Sequence, residues 1–124
     1  MVKRYINEAG SEELRAVMSR DRRWVVSRLT YVEVLRALGR VARDTGASGE
    51  LRLDWPTFEV VELSEPVAER AAALAVEEDL RSLDAVQLSC AIEVAGAKLS
   101  VVTWDSRLHR AAARRGLPVL PASL

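Results

Sequence analysis

Hydrophobic positions along the chain alternate between two spacings. "RWVVSR" (23–28), "FEVVEL" (58–63) and "KLSVVTW" (98–104) are short, β-branched and flanked by charged or turn residues. Each predicts a buried strand, and "LPVL" (117–120) predicts a last short one. Between them, apolar residues recur every three or four positions. In "TYVEVLRALGRVARDTG" they fall at Val34, Leu35, Leu38, Val41 and Ala42, which predicts a helix over 30–43 with Gly46 as its stop. "GSEELRAVMSR" predicts a helix to about Arg20, with Ser11 as N-cap and Glu12 and Glu13 in the first turn. Ser64 caps a helix that carries Pro66 in its first turn and runs to about Asp79. Residues 82–94 predict another, ending near Gly96. "DSRLHRAAARRG" predicts a capped helix that stops at Gly116. "ASGELRLDWPT" (47–57) contains Gly49 and Pro56 and predicts a loop with a partial helical turn.

Short apolar strands that alternate with amphipathic helices argue for an α/β fold, a parallel sheet covered by helices in three α/β/α layers. The 124 residues suit a single domain, 1–124, without repeats, low-complexity tracts or a linker.

Charge narrows the function classes. Eighteen basic and eighteen acidic residues balance, which argues against a non-specific polyanion-binding coat and leaves room for a local basic rim. Apart from Lys3 and Lys98 the basic residues are arginines, which suit bidentate phosphate contacts and solvated helix faces alike. The single cysteine, Cys90, excludes an internal disulfide, suits a reducing cytoplasm, and is expected as a small buried apolar residue. It also excludes a Cys-rich zinc site; the only histidine, His109, is expected at the surface. The polar start "MVKRYINEAG" has no signal-peptide core, and no apolar run approaches the roughly 20 residues of a membrane helix. There is no Gly-rich phosphate loop. Trp24, Trp55 and Trp104 are expected in the core or an interface rather than as base-stacking platforms.

Three acids stand out, each at a helix mouth: Glu33, Asp84 and Asp105. Ligands of open α/β sheets bind outside the carboxyl ends of the strands, where Glu33 and Asp105 are expected. Asp84 joins them if its helix starts on the same rim. Each also has a purely local account. "TYVE" fits a capping box of Thr30 and Glu33, Asp84 complements a helix dipole, and Asp105 is a good N-cap. If the three converge, they repel one another until a cation neutralises them. All-oxygen ligands favour Mg²⁺ or Mn²⁺.

"VVSRLTYVEVLRAL", "LRSLDAVQLSCAIE" and "VVTWDSRL" together resemble the PIN domain, in particular the VapC-type toxins of bacterial toxin–antitoxin pairs. The likeness runs in order from "VKRYINEAGSEELR" to "RRGLPVLP". It implies a metal-dependent ribonuclease in which Glu33, Asp84 and Asp105 hold one or two divalent ions and are the catalytic residues. Thr103, before "WD", matches a hydroxyl that supports the acidic cluster. The implied ion activates a water for in-line attack on the phosphodiester, leaving a 5′-phosphate and a 3′-hydroxyl. Arg28, Arg81 and Arg107 are candidate RNA phosphate contacts. The implied partners are an RNA substrate, a cognate antitoxin and a second copy of the chain, with no membrane.

The resemblance departs from the family at the start. The family opens with a strand carrying an Asp, whereas this chain begins at Met1 inside the stretch that follows it. Losing that middle strand is expected to leave its neighbours unpaired and the acidic cluster short of a ligand. Two accounts stand open: a start upstream of Met1, or a truncated PIN-like module, weakly active or inactive, that binds an antitoxin or itself.

Overall fold

A computed structural model of the chain describes residues 1–41 and 46–124, in two compact units, Met1–Val61 and Glu62–Leu124. In the first, helices α1 (Val2–Tyr5) and α2 (Ser11–Arg20) precede strand β1 (Val25–Ser27). Helix α3 (Arg28–Val41), helix α4 (Ala47–Asp54), a 3-10 turn at Trp55–Thr57 and strand β2 (Glu59–Val61) follow. β1 and β2 pair in parallel, Val25 opposite Glu59 and Ser27 opposite Val61. A parallel pair requires a crossover, which α3 and α4 supply. Leu14, Met18, Val34, Leu38, Leu51 and Phe58 are buried. Trp55 packs edge-on against Tyr31 and Phe58, with ring centroids 4.8 and 5.7 Å apart. Trp24 meets Phe58 in the same way at 5.4 Å.

The second unit holds helices α5 (Glu65–Glu77) and α6 (Ser82–Glu93), strand β3 (Val101–Val102), helix α7 (Ser106–Arg114) and strand β4 (Val119–Leu120). β3 and β4 are parallel, Val101 opposite Val119, with α7 as the crossover. Its core joins Ala71 and Leu74 of α5, Ala85 and Leu88 of α6, and Leu108, Ala111 and Ala112 of α7. The alanines let the helices approach closely, and Leu74, Leu88 and Leu108 fill the space between them. Buried Ser89 of α6 donates a 2.8 Å hydrogen bond to the carbonyl of Val67 in α5, so its hydroxyl is satisfied where the helices meet.

The α/β class and parallel pairing agree with the sequence pattern. The strands, however, form two pairs of two or three residues each among the described residues. Residues 47–57 are helix and 3-10 turn, not loop. Gly49 lies inside the first turn of α4, and Ala47 and Leu51, four apart, are both buried. That packing outweighs the intrinsic cost of one glycine. Gly46, at φ 75°, is the N-cap of α4. The expected end of the preceding helix, with Ala42 and Arg43, lies outside the described residues. α2 is capped by Gly10 and not by Ser11, whose hydroxyl donates to the Ile6 carbonyl at 2.8 Å and accepts from the Glu8 amide at 2.9 Å. α3 starts at Arg28, which places Thr30 inside it and not at the cap of a Thr30–Glu33 box. The Thr30 hydroxyl instead lies 3.2 Å from that of Ser27. His109 is half-buried, with Nε2 2.7 Å from the Pro121 carbonyl.

Glu78, just past α5, receives both arginines at the end of α7. Arg114 Nε donates to its Oε2 at 2.8 Å and Arg115 Nε to its Oε1 at 3.0 Å. The hydrogen bond from Arg114 is the main cause holding the Glu78 carboxyl below its ordinary range. A depressed carboxyl adds stability above its unfolded-state pKa and loses it as pH falls through the folded value. Glu78→Gln is therefore expected to be less stable than the wild type at pH 7, with the gap closing as pH falls below the carboxylate range. Urea midpoints at pH 7 and pH 3 check this; a gap that is constant with pH contradicts it.

Candidate functional site

Two helix starts in the second unit place two carboxylates on one guanidinium. Asp105 lies three residues past the end of β3 and is the N-cap of α7. Its Oδ1 accepts from the Leu108 amide at 2.9 Å, which satisfies one of the amides left open at a helix start. Its own amide donates to Thr103 Oγ1 at 3.1 Å, so the hydroxyl expected to support the acids braces Asp105 from the strand side. Asp84 stands in the first turn of α6, whose N-cap is Arg81, an extended residue at φ −64° and ψ 153°. Both carboxylates sit at the positive ends of helix dipoles.

Arg81 joins them. Its Nε donates to Asp84 Oδ2 and its Nη2 to Asp105 Oδ2, both at 3.1 Å. The arginine side chain is 73% exposed, Asp105 35% and Asp84 14%. Two carboxylates on one guanidinium leave a net negative charge at the site.

Glu33 belongs to the first unit, where it is half-buried on α3. Arg28 and Arg107 are exposed, Arg107 two residues beyond Asp105 in α7. Within either unit, no three His, Cys, Asp or Glu side chains among the described residues stand together as a ready ion site. The structure thus brings Asp84, Asp105 and Thr103 together. It gives Arg81 a role the sequence had not suggested, as the partner of both acids. The only sequence signal for this was the three-residue spacing from Arg81 to Asp84, which suits an ion pair on a helix.

Comparison with known proteins adds a family. The PIN domain family model matches residues 4–114. Two relatives from Mycobacterium tuberculosis are each 36% identical over 131 aligned positions, covering 99% of this chain and 91% of the relative. They are ribonuclease VapC45 of strain CDC 1551 / Oshkosh and ribonuclease VapC49 of strain ATCC 25618 / H37Rv.

Proposed function

The chain belongs to the PIN domain family, and from that premise we propose that it is a divalent-metal-dependent endoribonuclease, the toxin of a toxin–antitoxin pair. The family match, residues 4–114, supports reading 1–124 as one PIN-like domain.

The observation that carries the metal reading is the carboxylate pair on Arg81. A guanidinium bridging Asp84 Oδ2 and Asp105 Oδ2 marks a place where positive charge is already favoured. The donors are hard carboxylate oxygens, which suit Mg²⁺ or Mn²⁺. Asp84 and Asp105 would hold the ion; Glu33 is a third acidic residue that the family resemblance implies. When bound, such an ion supplies an activated water and neutralises charge that develops on the phosphodiester. The chain's own residues do the positioning. The Leu108 amide and the Thr103 hydroxyl fix Asp105, so that its Oδ2, the oxygen Arg81 holds, keeps a constant direction. The first turn of α6 fixes Asp84. Arg28 and Arg107, exposed, offer guanidinium groups to RNA phosphates, as does Arg81 once it leaves the acids. A cognate antitoxin and a second copy of the chain complete the proposed partners, in the cytoplasm. Among the described residues no helix is long and apolar enough to cross a membrane.

The test is cleavage of end-labelled single-stranded RNA with Mn²⁺ or Mg²⁺. Products with a 5′-phosphate and a 3′-hydroxyl, and loss of cleavage on adding EDTA, are expected. Cleavage that survives chelation would contradict metal dependence. No cleavage by the folded chain with either ion would favour a binding module over an enzyme.

A further inference from the structure

The cation proposed above meets an occupant. We propose that Arg81 is a built-in counter-ion that an incoming divalent cation must displace, so that this side chain sets how tightly the protein holds its metal. The inference rests on the metal reading of Asp84 and Asp105.

The atoms carry it. Asp105 has one oxygen committed to the helix: Oδ1 accepts from the Leu108 amide. The other, Oδ2, is the one Arg81 holds. On Asp84, too, Arg81 takes Oδ2. The two bonds use different nitrogens of one planar group, Nε and Nη2, so the guanidinium lies across the gap between the carboxylates. A compact ion cannot bind both Oδ2 atoms while that fork is in place. Both acids and the arginine lie in the second unit, so the contact is local to it.

Displacement is favourable in charge and cheap in structure. A doubly charged ion matches two carboxylates, where the guanidinium leaves one charge over. The released side chain is already 73% exposed and passes into water without burying a charge. The Arg81 side chain makes no cap hydrogen bond to α6. The fork therefore holds two like charges together and yields to a stronger cation.

The experiment is Mn²⁺ binding to the full chain without RNA, by calorimetry, for wild type, Arg81→Gln and Arg81→Lys. Removing the competitor is expected to lower the Mn²⁺ Kd about 5- to 20-fold in Arg81→Gln. A lysine keeps the charge and loses the fork, so Arg81→Lys is expected to fall between. It also decides the matter if the glutamine variant does not fold. A Kd equal to or weaker than wild type in both variants, at unchanged Tm, overturns the proposal and leaves the metal reading intact. A wild type and variants that all fail to bind Mn²⁺ overturn both. A structural lesion at Arg81 would weaken binding, so the sign of the change separates displacement from damage.

Discussion

Asp84→Asn is expected to lower kcat/KM for metal-dependent RNA cleavage by about a hundredfold or more, as expected when a preorganised charge is removed from a transition state. The substitution keeps the shape of the side chain and removes its charge. Asp84 is only 14% exposed, so nearby water compensates poorly. Its neighbour Asp105 would then meet Arg81 with one carboxylate against one guanidinium, and the excess negative charge that attracts a divalent ion would be gone. The fold is expected to hold. A first-turn acid and one partly exposed ion pair together are worth on the order of 1 kcal/mol. Steady-state cleavage with Mn²⁺, beside a melting curve, separates the two effects. An unchanged rate would remove Asp84 from the site.

Leu88→Ala carries the largest expected cost in stability, about 3 kcal/mol, with a fall in Tm of about 10 °C. Leu88 is 0% exposed on α6, in one cluster with Ala71 and Leu74 of α5 and Leu108, Ala111 and Ala112 of α7. Several of those neighbours are alanines on helix backbones. They have no side chain to swing into the space a leucine leaves, so the cavity stays open. Against a typical stability of about 5–15 kcal/mol, the loss is a large fraction. Urea unfolding of wild type and variant gives the difference. A loss below about 1 kcal/mol would mean that the three helices close up around the gap.

The sequence showed the helices more fully than the strands, for a physical reason. An amphipathic helix repeats its apolar stripe over ten or more residues, so Ser11–Arg20, Glu65–Glu77 and Ser82–Glu93 stand close to their predicted spans. A strand of two or three residues has little period to show. "KLSVVTW" promised seven residues, and only Val101 and Val102 pair. The segment 47–57 misled because Gly49 and Pro56 read as breaks, yet Leu51 and Ala47 find a buried face. At the site, Asp105 was legible as a cap because capping is local chemistry, and Leu108 lies three residues on. The arginine that ties it to Asp84 was not legible. Arg81 and Asp105 are 24 residues apart, and no local rule joins them. Glu33 remains a proposal from family resemblance and helix position.

Cys90 points to a practical use. The only thiol in the chain is 4% exposed, and burial pushes it above its usual pKa, so little of it is present as the reactive thiolate. The natural protein is thus a quiet background for thiol-directed fluorophores or spin labels. A cysteine introduced at an exposed position would carry the label almost alone, and distances could be followed without first stripping the chain of its own sulfur.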